Sequence, residues 1–275
     1  MKKFEGILIC TDLDGTLLNN EKKVSRENIE AINYFKENGG LFTFITGRMP
    51  YYSSAIYNTI EPNAPFGCIN GGGLYDHKKE EYVWHAQEFD KEVFDIVRSV
   101  EKAVPEIGIQ MVGYENTFFI QDNAATEKFR KRTGVPHIKK HYEEITEPIA
   151  KIVFADYDQE NIDKTDAVIK AHPLYQKYSY IQSEKTLYEI LPKGVDKGTV
   201  LLKMAEVLGI ERSKTVAVGD YDNDVAMIEK AGVGIAVANA SPDAKAVANH
   251  ITVSNEEHAI AKIISDIENK KIVFE

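Results

Sequence analysis

Cysteine and long apolar runs are scarce in this 275-residue sequence. Its two cysteines, Cys10 and Cys68, each lie in an apolar segment, which excludes a disulfide-rich scaffold and indicates a reducing compartment, the cytoplasm. No apolar stretch approaches the roughly 20 residues that are needed to cross a bilayer. The apolar run at residues 7–10 stops at Thr11 without the small-residue cleavage pattern of a signal peptide, so it is interpreted as a strand. The sequence predicts a cytoplasmic protein with no membrane partner.

Positive charge is also in short supply. The 33 lysines and arginines are outnumbered by 43 aspartates and glutamates, giving a formal net charge of -10. Such a chain lacks the clustered basic face of nucleic-acid-binding proteins, so no nucleic-acid partner is expected, and a site for an anionic substrate needs local positive charge. A basic run from Lys128 to Tyr142 is interpreted as a solvated helix and loop, with attraction of an anionic substrate as the alternative.

The first part of the chain alternates between strand and helix patterns. Apolar runs at residues 7–10, 41–45 and 66–69 have the length of buried strands, and an amphipathic helix is predicted to begin after Ser25 and to end at Gly39. This order predicts a parallel, doubly wound sheet. The same alternation returns near the C-terminus, with strands at 215–218 and 234–237, so the two ends of the chain are expected to complete one α/β domain.

The middle of the chain has a different character. It combines longer helices with strand-like segments such as KIVFA and LYEIL, which favours a smaller α+β domain inserted into the first. The predicted division is 1–85 and 191–275 for the first domain and 86–190 for the insertion, with no internal repeat.

Two carboxylates follow the first strand in the segment TDLDGT. Asp12 and Asp14 are two residues apart and can face the same side of an extended chain, while Gly15 permits a sharp turn. Ligands of open α/β sheets bind at the carboxyl ends of the strands. Carboxylates at the end of a buried strand cost free energy unless something binds them, so a site is expected here.

Complementary groups follow the other predicted strands or precede the next helix. They are Thr46, Gly47, Lys197, Asp220, Asn223 and Asp224. Converging carboxylates would raise one another's pKa values, and a hard divalent ion such as Mg²⁺ relieves that repulsion. The hydroxyl, ammonium and amide groups are those that bind phosphoryl oxygens. The pattern indicates a metal site next to a phosphate site.

Four segments, in this order, resemble the haloacid dehalogenase-like hydrolases, specifically the Cof-type members whose larger cap domain is inserted late. The segments are TDLDGT at Asp12, ITGR at Thr46, GVDKG at Lys197 and VGDYDND at Asp220. The resemblance covers essentially the whole chain. It implies an α/β core with a doubly wound parallel sheet, an α+β cap over 86–190, and a Mg²⁺-dependent phosphatase of small phosphorylated metabolites, most plausibly sugar phosphates.

The resemblance also implies roles for individual residues. Asp12 would attack phosphorus and form an aspartyl-phosphate, and Asp14 would act as the acid and base. Asp12, the main-chain carbonyl of Asp14 and Asp220 would bind Mg²⁺. Asp224 would orient Lys197 or a metal-bound water. The positions that would bind the phosphoryl group are Leu13, Thr46, Gly47, Lys197 and Asn223.

Two other functions use similar residues. A phosphoacceptor signalling protein would keep its phosphoryl group without turnover, and Asp14 together with the insertion argues against it. A phosphomutase would return the phosphoryl group to its substrate, and the sequence excludes this less firmly. A calcium-binding EF-hand fails, because Val225 and Ala231 stand where the loop requires glycine and glutamate.

Several neighbouring residues carry weaker expectations. Arg48 is expected either to reach the substrate or to form a structural salt bridge, and Asp222 to cap the helix that follows it. The segment from Asn70 to Gly73 imitates a dinucleotide-binding loop but is interpreted as a turn close to the site, because Asp76 stands in place of the third glycine. The segment SNEEHAIA departs from the family pattern, which leaves the fine substrate geometry open.

Overall fold

The computed structural model describes residues 2–274, which divide into two compact units. One unit contains the residues up to His85 and those from Asp196 onward, and the other is Ala86–Val195. The first segment contains β1 (Leu8–Thr11), α1 (Arg26–Glu37), β2 (Leu41–Phe44), α2 (Ser54–Ile60), β3 (Phe66–Cys68), β4 (Gly73–Asp76) and β5 (Glu81–His85).

The second unit and the last segment hold the remaining elements. The second unit contains α3 (Val93–Ala103), β6 (Gly108–Gly113), β7 (Thr117–Gln121), α4 (Ala124–Thr133), β8 (Ile138–Lys139), β9 (Ile149–Ala155), α5 (Gln159–Lys170), β10 (Tyr178–Glu184) and β11 (Leu187–Pro192). The last segment contains α6 (Lys197–Leu208), β12 (Thr215–Gly219), α7 (Val225–Lys230), β13 (Val233–Ala236), α8 (Pro242–Val247), β14 (His250–Ile251) and α9 (Ala259–Glu268).

A five-stranded parallel sheet organises the first unit. Its strand order is β14-β13-β12-β1-β2, so β1 lies between strands from the two ends of the chain. Leu8 and Cys10 of β1 pack with Leu201 and Met204 of α6 in one buried cluster. The sheet confirms the predicted α/β class and places the carboxyl ends of β1, β2 and β12 side by side.

Local sequence signals explain where the flanking helices begin and end. The Ser25 hydroxyl accepts a hydrogen bond from the Asn28 N–H at the start of α1, as the sequence predicted. Gly209 ends α6 in the left-handed conformation, which glycine adopts without a steric penalty. In α9 the isoleucines at 260, 263, 264 and 267 are buried, as the helical spacing of apolar residues requires.

The expectation that residues 66–69 add another strand to the parallel sheet is wrong. β3 pairs antiparallel with β4 in a separate three-stranded sheet of order β3-β4-β5. Among the described residues, β3 pairs in parallel at one bridge, which joins Gly67 to Ile45 directly after β2. The turn at 69–71 reverses the chain after only three strand residues and places β4 antiparallel to β3.

The second unit is an α+β fold. Its six-stranded sheet has the order β10-β11-β9-β6-β7-β8 and is antiparallel except between β7 and β8. Helices α3 and α5 contact each other and bury apolar side chains such as Ile96 and Ile162 against Ile152 and Ile190 of the sheet. Within residues 2–274, none of the helices is both long enough and apolar enough to span a membrane.

Candidate active site

A buried lysine joins two carboxylates at the carboxyl end of β1. The Asp12 N–H continues the parallel ladder by donating to the Val218 carbonyl at 2.8 Å, which fixes its side chain at the sheet edge. Lys197, 1% exposed at the start of α6, donates from Nζ to Oδ1 of Asp12 and to Oδ1 of Asp224, both at 2.6 Å. The structure thereby brings together three of the predicted site residues that lie far apart in the sequence.

The charges in this cluster are not balanced by the lysine alone. Burial is the largest influence on Asp12 and raises its pKa well above the ordinary value, although the Lys197 charge acts in the opposite direction. Burial by itself would lower the pKa of Lys197, but the carboxylates of Asp12 and Asp224 outweigh it and raise that pKa. Lys197 is therefore a cation, while the surroundings of Asp12 still favour additional positive charge.

A third carboxylate, Asp220, lies at the end of β12. Its Oδ1 accepts a hydrogen bond from the Thr16 hydroxyl at 2.7 Å. Burial and then the negative charge of Asp224 raise the pKa of Asp220 to about 7. Asp224 shapes the loop itself, because its Oδ2 accepts from the N–H groups of Asp220 and Tyr221 at 2.9 and 3.1 Å.

These carboxylates have the chemistry of a divalent metal site. Asp12, Asp220 and Asp224 each offer one oxygen, and the three oxygens lie within 4.8 Å of one another. Both oxygens of Asp224 already accept hydrogen bonds, whereas no donor among residues 2–274 reaches Oδ2 of Asp12 or of Asp220. Asp12 and Asp220 are thus the better ligands for a hard cation, and Asp224 is better placed to hold Lys197.

Gly15 leaves room for Asp220. It adopts φ +88°, and a Cβ atom at this position would lie 2.4 Å from Oδ2 of Asp220. Any side chain here would displace the carboxylate. The glycine in TDLDGT is therefore required both for the turn and for the close approach of the Asp220 carboxylate.

The Asp14 side chain lies outside this cluster and is paired with cations. Its Oδ2 accepts from Nε and Nη2 of Arg48 at 3.0 and 2.7 Å, and Lys22 Nζ lies 3.0 Å from its Oδ1. Burial would raise the pKa of Asp14, but the charges of Arg48 and Lys22 outweigh that effect and lower it. Of the two roles open for Arg48, the structure shows the salt bridge, and Asp14 is held as a carboxylate.

Three of the predicted phosphate-binding residues, Thr46, Gly47 and Asn223, lie around Asn70. Thr46 is buried, and its N–H donates to the Gly67 carbonyl at 3.0 Å. Asn223 donates from Nδ2 to Oδ1 of Asn70 at 3.2 Å, and a Cβ atom on Gly47 would lie 2.8 Å from that same oxygen. The sequence predicted only that Asn70 lies near the site. The Asn-Gly pair at 70–71, directly after a strand, was the signal in the sequence for a turn at this edge.

Leu13, a predicted phosphate-binding position, could contact a ligand only through its backbone. Its side chain is fully buried, so the only part it can offer to a ligand is the main chain. The hydrogen bonds of residues 2–274 include none from the Leu13 N–H. A peptide N–H without an acceptor next to Asp12 suits an anionic oxygen.

Asp222 does not cap the following helix. Its Oδ1 instead accepts a hydrogen bond from the Ser241 hydroxyl at 2.9 Å. The neighbouring Asp224 binds the N–H groups at this turn and removes the need for a second capping side chain. The expectation for Asp222 is therefore wrong.

The divergent segment SNEEHAIA is connected to the site loop. The Asn255 N–H donates to Oδ1 of Asn239 at 3.0 Å, and Nδ2 of Asn239 donates to the Gly15 carbonyl at 2.8 Å. Asn255 also donates to the Leu18 carbonyl at 3.0 Å. Two asparagines thus brace the turn after β1, a role that the sequence analysis missed because it depends on contacts between distant segments.

Known proteins resemble this chain along nearly its full length. The family model for haloacid dehalogenase-like hydrolases matches residues 9–264. A Bacillus subtilis (strain 168) protein named 5-amino-6-(5-phospho-D-ribitylamino)uracil phosphatase is 30% identical, with 94% of this chain and 97% of the relative covered. The B. subtilis (strain 168) phosphatase YwpJ is 28% identical, with 94% of this chain and 99% of the relative covered.

A solved structure extends the comparison to the fold. A haloacid dehalogenase-like hydrolase from Bacteroides thetaiotaomicron has a TM-score of 0.80 and 26% identity, with 95% of this chain and 99% of that chain covered. The resemblance, the α/β fold class and the expectation of a hydrolytic enzyme are confirmed. This chain belongs to the haloacid dehalogenase-like hydrolase family.

Proposed function

We propose that this protein hydrolyses phosphate monoesters of small metabolites with Asp12 as the nucleophile. The observation that carries the proposal is the buried contact of Lys197 with Asp12 and Asp224, beside Asp220. It combines a carboxylate nucleophile, a fixed cation and a place for a metal, which phosphoryl transfer requires. The names of the two B. subtilis phosphatases support the reaction class.

The reaction has two displacements. In the first, a carboxylate oxygen of Asp12 forms a bond to phosphorus while the ester oxygen leaves and takes a proton from Asp14. In the second, a water molecule gives a proton to Asp14 and attacks the aspartyl-phosphate, which releases inorganic phosphate and restores Asp12. The phosphoryl oxygens are held by Lys197, by Asn223 and by the groups at Leu13, Thr46 and Gly47.

Asp14 has to change its surroundings during this cycle. The Arg48 and Lys22 contacts hold it as a carboxylate, which is the form that accepts a proton from water in the second displacement. The first displacement requires its protonated form, which those cations disfavour. Binding of the phosphate ester is therefore expected to draw Asp14 away from Arg48.

Mg²⁺ is the proposed cofactor. Asp12 and Asp220 would hold it, with the main-chain carbonyl of Asp14 as a further ligand. When bound, Mg²⁺ supplies positive charge that reduces the repulsion between the Asp12 carboxylate and the phosphoryl oxygens. The raised pKa values of Asp12 and Asp220 favour this proposal, because a cation would stabilise both charged forms.

Sugar phosphates are the proposed substrates. The B. subtilis relative that is 30% identical is named for a substrate with a phosphorylated ribityl chain, a reduced sugar. We further propose that the inserted unit is the cap domain, in which selection of the leaving group resides. The two buried free cysteines favour a cytoplasmic location.

Phosphate release from a panel of metabolites, with and without Mg²⁺, tests the proposal. Asp12→Asn should abolish release, whereas the exposed Asp222→Asn, which contacts Ser241 rather than the cluster, should not. Undiminished turnover in Asp12→Asn would contradict the assignment of Asp12 as the nucleophile.

Asp14→Asn should slow the breakdown of the phosphorylated protein. An isomeric ester without free phosphate would instead indicate a mutase, and a stable phosphoprotein that recruits a partner would indicate a signalling role.

A further inference from the structure

Three consecutive residues after β3 adopt left-handed backbone conformations. Ile69, Asn70 and Gly71 have φ values of +55°, +53° and +102°, and all three are buried. Gly71 adopts such a conformation freely and asparagine tolerates it, but a β-branched isoleucine there is strained. A strained residue costs about 1–3 kcal/mol and persists only where its surroundings over-determine it, which is common at functional sites.

Contacts on three sides hold this turn. The Ile69 N–H donates to the Arg48 carbonyl and the Asn70 N–H to the Thr46 carbonyl, both at 3.0 Å. A Cβ atom on Gly71 would lie 2.1 Å from the carbonyl oxygen of Asp196, the residue before Lys197. The turn therefore lies against the segment after β2 and against the start of α6.

The Asn70 side chain makes the third contact. It is fully buried, and its Oδ1 accepts from Nδ2 of Asn223 at 3.2 Å in the loop after β12. The same oxygen lies against the backbone of Gly47 so closely that a Cβ atom there would be 2.8 Å away. One carboxamide thus adjoins two of the positions that the proposed function assigns to the phosphoryl group.

We propose that Asn70 is a positioning residue that orients the Asn223 carboxamide toward the phosphoryl group. The terminal torsion of an asparagine has broad minima, so a single fixed hydrogen bond selects its orientation. With one N–H of Asn223 bonded to Asn70, the other is directed elsewhere and is free to serve a phosphoryl oxygen. This inference rests on the proposed function, and it gives Asn70 a role through Asn223 rather than through direct contact with the substrate.

The alternative is that Asn70 only closes the turn. Asn70→Gly separates the two roles, because glycine adopts φ +53° without strain and removes only the carboxamide. A matched control is Asn63→Gly, since Asn63 also links backbone segments, accepting from the Phe42 N–H at 2.8 Å and donating to the Gly40 carbonyl at 2.9 Å. The control removes an asparagine that also links two backbone segments, although an exposed one, from a place without a phosphate-binding residue.

The experiment is a double-mutant cycle with Asn223→Ala, using p-nitrophenyl phosphate and Mg²⁺. Asn70→Gly should lower kcat/KM roughly 10- to 100-fold, the range known for residues that orient metal ligands. It should also weaken inhibition by inorganic phosphate. The double variant should be no slower than Asn223→Ala alone, because Asn70 acts through Asn223. Asn63→Gly should combine with Asn223→Ala additively.

A conservative variant checks the hydrogen bond itself. Asn70→Asp keeps an acceptor oxygen in the same place and should retain more activity than Asn70→Gly. If Asn70→Gly does not fold, the double-mutant cycle is measured with Asn70→Asp instead. Any loss of activity that Asn70→Asp causes in the wild-type background should then be absent in the Asn223→Ala background.

Additive losses, or unchanged phosphate inhibition in Asn70→Gly, would overturn the positioning role while leaving the phosphatase proposal intact. Equal activity of Asn70→Asp and Asn70→Gly would do the same. If the wild-type protein released no phosphate from any ester, or if Asp12→Asn kept its activity, the proposed function would fail and the role of Asn70 with it.

Discussion

The Nζ atom of Lys197 lies 2.6 Å from Oδ1 of Asp12, and both side chains are almost completely buried. The lysine charge opposes the effect of burial, which raises the pKa of the Asp12 carboxyl group well above its ordinary value. The ion pair therefore links the stability of the sheet edge to the charge state of the proposed nucleophile.

Replacing the lysine should affect both properties. Lys197→Met leaves Asp12 and Asp224 buried without their shared cation, so the free energy of unfolding should fall by about 3–5 kcal/mol. Phosphate release should fall by roughly 10²- to 10³-fold, since a fixed charge at the phosphoryl group is lost. Denaturant unfolding and steady-state kinetics measure the two effects. Lys203→Met, on the same helix with an exposed partner in Glu206, should change the unfolding free energy by less than about 1 kcal/mol.

A methyl group at position 15 should weaken metal binding at the proposed site. Gly15→Ala places a Cβ atom 2.4 Å from Oδ2 of Asp220, whereas Gly6→Ala meets nothing within 4 Å at a similar φ of +80°. Both substitutions should cost about 1–2 kcal/mol of stability from the backbone conformation alone. Only Gly15→Ala should weaken Mg²⁺ binding, which calorimetric titration measures. Equal Mg²⁺ affinity in the two variants would contradict the assignment of Asp220 as a ligand.

The convergence of Asp12, Lys197 and Asp224 could be predicted because it follows from a general rule. Parallel strands end at one edge of a sheet, so polar residues directly after β1 and β12 have to meet there. Strand order brings Asp12 and the loop of Asp224 together although they are far apart in the sequence, whereas Lys197 was placed at the same edge because it precedes the helix that leads into β12. The same reasoning placed Thr46 and Asp220 at this edge.

Contacts that depend on side-chain packing could not be predicted in this way. The pairing of Arg48 with Asp14 and the bonding of Asn70 to Asn223 depend on rotamers set by neighbours from other segments. The turn at Asn70 was predicted, but the antiparallel pairing of β3 with β4 was not. A short apolar run has the same pattern in a parallel and in an antiparallel sheet, and the turn at 69–71 decides between them.

The carboxylate of Asp90 should stabilise the second unit in a pH-dependent way. Burial would raise its pKa, but hydrogen bonds from Lys177 and Tyr178 outweigh this and lower it. A lowered pKa means that the stabilisation is complete above the ordinary carboxyl pKa of about 4 and is lost as the pH falls through the folded value. Asp90→Asn should therefore reduce the melting temperature at pH 7, with a smaller difference from wild type near pH 3. A difference that stays constant across this range would contradict the pairing.

The two cysteines should not react with thiol reagents in the folded protein. Cys10 and Cys68 are fully buried, and burial raises the pKa of the Cys10 thiol, so the reactive thiolate is suppressed. An aromatic disulfide reagent should label neither residue in the native protein and both after denaturation, as absorbance of the released thiol measures. Phosphate release should be unchanged by the reagent, because the proposed nucleophile is Asp12. Rapid native labelling that disappears in Cys10→Ala would show that the end of β1 opens to solvent, and loss of activity with it would point to a catalytic thiol.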